Sequence, residues 1–591
     1  MGSIPPPFPT PAVSLSEHPA TLPETNISDD VNVVDIVDRA LERLHELNQA
    51  GLASNAIWRD SLAFTNTFRT FFSPESVSRH WRTLAAQRQP RKLLANPSSP
   101  RVARFGPTTS WVESDFTFET QGCLPARCSG KLGLVPENGE WKIWLLCTVL
   151  EQPHGFPNVD HLIPRPEAPL RADCYDCVVI GAGIGGLCMA GRLKALSLSY
   201  LVIDKHEEVG DVWAKDRYDS VKLHTSRCYN QLPGCPKTFR PEDPYLLSGQ
   251  DLKQGFQRYV NAFGIHVMTS TAVCSAKYDA ASRTWDVMVK CRGHDTKLKA
   301  KHLVLATGNK GSAPITPSYK HPEVFTGDVV HAREWRNASS WKGKRGIVIG
   351  SANSAQDIMS DMVKAEFESV TLVQRSKTFV LPLSTFSTIV DPVFNDETPT
   401  EVSDRILLSY PLPLQRLIAM KGIRACAEQN PEYFDRMEAR GFRTERFGDL
   451  WGMMYDREGG HFFDVGAGEL IRDGMVKVKS DALPVAYTET GLELSDGSRL
   501  DADVIVFATG YEGSIKQTAQ ALLGNEVAAS LEEFWQCSAE GEIRGAWKHT
   551  GHDALWYTGH GYAHARYYSR FVALHIKADV EGKPMKPYTT T

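Results

Sequence analysis

Residues 177–204 read CVVIGAGIGGLCMAGRLKALSLSYLVID: an apolar run, a GxGxxG turn, a helix-forming segment, a second apolar run and a closing carboxylate. This is the order of a βαβ unit built to hold a dinucleotide. Gly181 allows the tight turn, Gly183 lets backbone approach a pyrophosphate, and Gly186 lets the helix pack closely on the strand. The helix N-terminus offers N–H donors to phosphate oxygens. Asp204, followed by Lys205, is placed to accept a hydrogen bond from a ribose hydroxyl.

A second, altered copy occupies residues 346–376, GIVIGSANSAQDIMSDMVKAEFESVTLVQRS. Gly350 keeps the turn and Ser351 follows it. Ala352 and Ala355 replace the later glycines, which restricts backbone approach to phosphate. Asn353 and Ser354 then open the helix. The second strand ends in Gln374-Arg375-Ser376 in place of an acid. A guanidinium beside a hydroxyl suits a ribose 2′-phosphate and predicts NADPH over NADH. A solvated surface arginine is the plain alternative.

Bulk properties narrow the class. With 591 residues the chain has room for roughly three or four domains. A formal charge of −5 with interspersed signs leaves no basic footprint for nucleic acid. No apolar run approaches the roughly 18 residues that cross a bilayer. The start MGSIPPPFPTPAV has no secretory pattern, and Pro6 breaks a myristoylation motif after Gly2. The end KPYTTT is neither a prenylation nor a peroxisomal signal, so a soluble cytoplasmic protein is expected.

Residues 1–30 are rich in Pro, Ser and Thr and read as a flexible arm. Val34, Val37, Leu41, Leu44 and Leu47 then recur at helical spacing, and Ser73 with Pro74 opens a second helix. From Trp111 the period changes to strands, with Asn138-Gly139 as a hairpin turn. Over residues 31–151 this pattern resembles the NTF2-like (SnoaL-like) α+β cone. Asp60 or His80 could be polar groups in such a cone, although a structural, dimerising or vestigial module is the stronger reading; a homodimer is one option and the oligomeric state stays open. The proline-rich run 152–172 reads as a linker.

Several further motifs fall in a fixed order. Gly210-Asp211-Val212-Trp213 follows the first unit. LVLATGNKG carries Thr307 and Gly308, and FTGDVVHAREW supplies Phe325, Gly327, His331 and Trp335. DVGA lies at 464–467, and DVIVFATGYEG carries Thr509 and Gly510. Together they resemble the class B flavoprotein monooxygenases, which include flavin-containing, YUCCA-type and Baeyer–Villiger enzymes. Phe325, Gly327, His331 and Trp335 match that family's FxGxxxHxxx(Y/F/W) fingerprint. Its closing Trp leans toward the Baeyer–Villiger branch, whereas Arg336 after it does not.

The resemblance implies an α/β fold with two Rossmann-type domains, the NADPH domain inserted into the FAD domain, plus the N-terminal cone. The FAD domain would comprise 173–315 and 480–591, and the NADPH domain 316–479. The FAD set would be Gly181, Gly183, Gly186, Asp204, Lys205, Trp213, His224, Thr307, Gly308, Thr509 and Gly510. The NADPH set would be Gly350, Ser351, Ala352, Asn353, Ser354, Arg375 and Ser376. His331 would support the geometry of the link between domains. Reaction of reduced FAD with O2 would give a C4a-(hydro)peroxide, which passes one oxygen atom to a small organic substrate. His224 and Asn353 are the candidate polar neighbours of that chemistry. N- or S-oxygenation, Baeyer–Villiger insertion and decarboxylation of a 2-oxo acid all stay open, and residues 391–422 would shape the substrate opening.

Twelve cysteines, scattered through the chain, suit a reducing compartment. The Cys174/Cys177 pair at the first strand reads as packing. Cys228 and Cys235 lie roughly where flavin disulfide reductases carry a redox pair, which leaves a thiol oxidoreductase as one alternative. A non-catalytic binding protein is another.

Overall fold

The computed structural model describes residues 9–164, 173–234, 237–308 and 313–589. The opening stretch forms the strand Tyr175–Ile180, the helix Ile184–Ala195 and the strand Tyr200–Ile203. Val267–Met268 extends this parallel sheet on one side and His294–Leu305 on the other. Thr284–Cys291 and Thr271–Asp279 continue it antiparallel, and Leu555–Tyr557 adds a parallel pair beside His294–Leu305. The VVI run is apolar throughout because helices cover the sheet. Leu187, Met189 and Leu193 of the first helix are fully buried, and Tyr562–Val580 is buried along almost its whole length. A helix enclosed this way has no polar face to show, which explains the weak amphipathicity of its sequence.

The altered copy builds a second parallel sheet. Its strand order is Asp328–His331, Val504–Phe507, Arg345–Ile349, Ser369–Val373 and Lys477–Lys479. Val504–Phe507 pairs on both sides within this sheet, so the expected boundary at 479/480 is corrected. The chain rejoins the first sheet only at Leu555. The apolar strand at 504–507 looks alike in either sheet, and pairing alone decides its place. Where the chain leaves and returns, Ala313–Pro314 runs antiparallel to Tyr511–Glu512.

The N-terminal region forms a third sheet ordered Phe68–Phe72, Leu52–Ser61, Glu140–Pro153, Ala126–Glu137, Ser110–Thr120 and Arg91–Ala95, with Arg101–Arg104 also on Ser110–Thr120. Asn138 and Gly139 take φ of 56° and 81°, the hairpin geometry that their residue types favour. The helices Val33–Arg43 and Pro74–Arg88 pack on the sheet. Ser73 caps the second of them by accepting from Ser76 N.

Residues 9–30 correct the flexible-arm expectation. Thr10 N donates to Glu532, Val13 N to Cys537 O at 2.9 Å, and Ser14 Oγ to Asp456 Oδ2 at 2.7 Å, while Leu15 is 1% exposed. Apart from the short 3-10 turn Leu15–Glu17, this Pro- and Thr-rich segment has no helix or strand, yet it bonds to a neighbouring surface. Part of the expected linker is also fixed: Gln152 and Pro153 close the strand Glu140–Pro153 and Asp160 joins a half-buried ion cluster, whereas 165–172 and Cys235 lie outside the described residues. The stretch 391–422 contributes the helix Thr400–Leu408 and most of Leu412–Gln429. Leu414 there packs with Trp111 and Trp144 of the third sheet. Among the described residues no helix is long and apolar enough to cross a membrane, and no His/Cys/Asp/Glu group could hold a metal ion.

Candidate functional site

Gly181 ends its strand at φ 106°, in the left-handed region. A Cβ there would lie 2.5 Å from the Ala306 carbonyl oxygen, and a Cβ on Gly186 would lie 1.8 Å from Gly181 O. Both positions therefore exclude any side chain. Gly183 differs: nothing lies within 4 Å of its built Cβ, and it opens the helix without a side-chain cap. The turn thus keeps an open cradle beside free helix N–H donors, which fits a pyrophosphate. Asp204 Oδ2 accepts from Ala182 N at 2.6 Å and Oδ1 from His206 N at 2.8 Å, so the carboxylate also braces the turn. Burial opposes charge on His206, but hydrogen bonds to Asp216 and Asp204 outweigh it and raise its pKa. Lys205, Thr307 and Gly308 are exposed at the rim.

The second turn repeats this construction. Gly350 has φ 125°, and its Cβ would meet Ala508 O at 2.4 Å, as Gly181 would meet Ala306 O. Gly350 N donates to Val373 O at 3.0 Å, matching Gly181 N to Ile203 O at 2.7 Å. The helix Asn353–Lys364 starts from Ala352, again with no side-chain cap. Ser351 Oγ lies 2.7 Å from Thr378 Oγ1. Arg375 and Ser376 are exposed just past the strand. Arg443, which no motif pointed to, donates to the Arg375 carbonyl at 2.9 Å and brings a second guanidinium to this edge.

At four of the expected residues the tertiary structure adds partners that the motifs did not specify. Thr509 and Gly510 follow the second sheet's strand and lie by the Gly350 turn, the counterpart of Thr307 and Gly308 by the Gly181 turn. Thr509 Oγ1 bonds Ile315 O and Ile315 N donates to Gly510 O at 3.0 Å, which joins the outgoing and returning chains. Asn353 Oδ1 accepts from Phe463 N at 2.9 Å, so its carboxamide holds the strand His461–Asp464. Trp213 packs against the cores of both sheets, with the Arg217 guanidinium 5.6 Å over its ring.

The segment 218–224, after the first unit, meets the helix Asn353–Lys364 in a polar seam. Tyr218 OH donates to Asp357 Oδ2 and Ser220 Oγ to Asp361 Oδ2, each at 2.7 Å. His224 Nε2 stands 3.5 Å from Asp357 Oδ1. Burial raises the Asp361 pKa. Of the fingerprint residues, Trp335 stacks on Trp341 at 5.2 Å with Nε1 3.4 Å from Asp361 Oδ2. His331 meets Tyr511 edge-on at 5.3 Å, and burial lowers its pKa. Gly327 fits under Asp503 O, where a Cβ would come to 2.4 Å, and Phe325 packs against Tyr487.

An aromatic group near the first turn went unread in the sequence. Gly559 abuts Gly185 of the turn, and neighbouring His560 stacks on Trp535 with centroids 3.5 Å apart. Tyr455 stacks on the same Trp535 at 4.9 Å and bonds His564. Trp535, Trp547 and His560 all have positive φ, a strain that surrounding packing must hold. Tyr455 belongs to the π-helical turn Gly452–Asp456, a form often found at functional sites.

Of the pair behind the thiol alternative, Cys228 is described and Cys235 lies outside the described residues. Burial raises the Cys228 pKa, and the Asp396 carboxylate adds to the rise; burial likewise raises Cys174 and pushes Cys177 far above the ordinary range. Each of these shifts disfavours the thiolate, the nucleophilic form. In the third sheet, Asp60 is fully buried and accepts from Phe64 N, Thr65 N and Thr148 Oγ1, while His80 stacks on Phe71 at 4.6 Å. Both act within the core.

Residues 178–409 match the family described as "Pyridine nucleotide-disulphide oxidoreductase". The chain is 27% identical over 351 residues to the probable indole-3-pyruvate monooxygenase YUCCA9 of Arabidopsis thaliana, covering 58% of this chain and 76% of the relative. It is 25% identical over 362 residues to the probable FAD-binding monooxygenase AlmA of Acinetobacter baylyi, covering 58% and 70%. The flavin-containing monooxygenase structure from Stenotrophomonas maltophilia aligns at 17% identity and a TM-score of 0.46, covering 69% of this chain and all of that one. The two dinucleotide-type turns and the two monooxygenase relatives together point to one activity: the chain is an FAD- and NADPH-dependent monooxygenase that oxygenates an organic substrate.

Proposed function

We propose that the Gly181 turn holds FAD and the Gly350 turn holds NADPH, with the substrate entering where the seam meets the apolar wall of Tyr229, Phe386, Phe463, Met453 and Met454. The observation that carries this reading is the doubled construction: Gly181 under Ala306 O and Gly350 under Ala508 O, each followed by a helix with no side-chain cap. When bound, FAD supplies hydride acceptance from NADPH and the activation of O2. The chain supplies placement. Gly183 leaves room for pyrophosphate, Asp204 takes a ribose hydroxyl while bracing the turn, and Arg375 with Arg443 takes the 2′-phosphate. Thr509 and Gly510 serve the NADPH turn on this reading. Packing of Tyr229 with Phe386 at 6.0 Å and of Phe386 with Phe463 at 6.2 Å favours a small, largely apolar substrate and keeps water out.

YUCCA9 is named for indole-3-pyruvate, and a 2-oxo acid with an aromatic body is accordingly the first substrate to try here. On the same reading, the N-terminal sheet with its two helices is an NTF2-like cone that serves as scaffold. The chain's domains are 173–308 with about 513–589 for FAD, and 313–512 for NADPH.

The test supplies purified protein with NADPH and isotopically labelled O2 over a panel of 2-oxo acids, ketones, amines and sulfides. The expected result is a bound yellow chromophore and one labelled oxygen atom in an organic product. Protein without bound flavin, or NADPH oxidation that yields hydrogen peroxide alone with every substrate, overturns the reading.

A further inference from the structure

His224 was expected beside the flavin, yet its closest charged neighbour comes from the other nucleotide domain. The strand Lys222–Ser226 carries it, and Asp357 sits on the helix Asn353–Lys364, one turn beyond Asn353 and Ser354. Side-chain exposures of 11% and 14% place both groups in the seam. His224 Nε2 is buried without a hydrogen-bond partner, 3.5 Å from Asp357 Oδ1. A buried ring nitrogen left unpaired is costly, so a shift of a few tenths of an ångström that closes this contact is favoured.

The carboxylate is not free to turn away. Its other oxygen, Oδ2, accepts Tyr218 OH at 2.7 Å, and the Tyr218 hydroxyl also meets Ser354. Tyr218 is 6% exposed and belongs to the segment that leads into the His224 strand. Burial, the Asp357 charge and the Asp357 hydrogen bond all raise the phenol pKa, so Tyr218 stays a donor. A carboxylate held by a phenol on one oxygen presents the other as a pure acceptor.

We propose that Asp357 is a positioning residue for His224: Tyr218 anchors its carboxylate, the free oxygen draws the proton of a neutral His224 ring to Nε2, and Nδ1 is left as a hydrogen-bond acceptor in the seam. The inference rests on the proposed function for its purpose, since it links the NADPH turn through Ser354, Tyr218 and Asp357 to the ring expected near FAD. Its geometry stands on these four side chains alone. An imidazole whose tautomer is set by a carboxylate on its far nitrogen has one defined hydrogen-bonding face, whereas an unheld ring offers both.

The test reads the ring directly. Nitrogen-15 spectra of histidine-labelled protein, with the His224 signals assigned by their loss in His224→Gln, report which nitrogen carries the proton. Asp357→Asn keeps the shape, and Tyr218 then donates to the amide oxygen, turning the NH2 toward His224. The expected result is an Nε2-protonated ring in the unaltered protein, inversion to the Nδ1-protonated form in Asp357→Asn, and a mixture in Tyr218→Phe. Unchanged His224 signals in both variants overturn the inference, as does an Nδ1-protonated ring in the unaltered protein. Thermal melts accompany each spectrum, so a folding defect is seen separately. In turnover, the variants are expected to lose about tenfold in product formed per NADPH consumed while the dissociation constant of NADP+ changes less than about threefold. Tautomer inversion in a protein that oxygenates nothing would refute the proposed function and leave the positioning intact.

Discussion

Arg59 of the N-terminal sheet donates Nε to Glu542 Oε1 at 2.8 Å and Nη2 to Oε2 at 2.9 Å, with both side chains at most 2% exposed. Arg59 Nη2 also meets Tyr568 OH of the C-terminal helix at 3.0 Å, and Nη1 donates to Tyr410 O at 3.0 Å. One guanidinium therefore ties the N-terminal sheet to the final helix, the helical insert and the segment that carries Trp535. A second, half-buried cluster joins Glu151 and Asp160 to Arg405 and Arg570. The N-terminal region is bound into the enzyme's core by charge as well as by packing.

Arg59→Met is accordingly expected to lower stability by about 3–5 kcal/mol, because Glu542 is left as a buried, unpaired charge. The pair Arg59→Met with Glu542→Leu should recover most of that loss. Urea unfolding of both single variants and the double variant measures the cycle. Additive losses would show that the two groups do not act as a pair.

Gly183→Ala and Gly186→Ala separate cofactor space from folding space. Nothing meets a Cβ at 183, so that variant should fold with an unchanged melting temperature and bind FAD about tenfold more weakly, roughly 1.4 kcal/mol. At 186 the Cβ would lie 1.8 Å from a carbonyl oxygen, and backbone must move, at a cost of roughly 1–3 kcal/mol. The ratio of flavin to protein absorbance, beside a melt, distinguishes them. Equal flavin content in Gly183→Ala and the unaltered protein would remove this turn from the FAD site.

Arg375→Ala is expected to raise the NADPH KM by about 10–100-fold, as loss of a charge-assisted bond worth roughly 1.5–3 kcal/mol implies, with little change for NADH. Arg443→Ala should do the same more weakly, since Arg443 also props the Arg375 carbonyl. Steady-state kinetics with both nucleotides checks it. A parallel loss with NADH would show a general structural effect.

Burial holds the His564 pKa at about 4, with Arg566 and Arg59 adding to the depression from the ordinary 6.5. Between those values the unfolded chain binds a proton that the folded chain refuses. Stability therefore falls as pH drops from about 6.5 toward about 4, by up to about 1.4 kcal/mol per unit from this group. His549 and His575 are lowered by burial in the same direction. The carboxylate Glu151, held near 2 as Arg570 and Arg405 outweigh its burial, loses its contribution only below the usual 4.5. Melts across this range should show the decline, and His564→Gln should flatten it. A melting temperature constant from about pH 7 to about pH 5 would count against buried neutral histidines.

The two dinucleotide turns were legible because their glycines answer local demands. A φ of 106° at Gly181 or 125° at Gly350, and a carbonyl within contact of each Cβ, are constraints that only glycine meets comfortably. Asn138-Gly139 and the Ser73 cap were legible for the same reason, since turn and cap chemistry acts over a few residues. The seam was not. Tyr218, Asp357 and His224 lie on two elements more than a hundred residues apart, and nothing in either segment alone marks their meeting. The apolar strand 504–507 satisfied two sheets equally well, and only pairing chose between them.

What the amino-acid order determined by itself was the pair of βαβ units, their glycine turns and the acid-to-arginine change between them, because backbone sterics and phosphate geometry are local. Only the tertiary structure decided that residues 10–15 are bound to the C-terminal segment, that Asn353 braces a strand, and that Arg59 and Glu542 find each other. These contacts join residues brought together from distant parts of the chain, where burial makes an unpaired polar group costly and so selects partners that sequence spacing does not reveal.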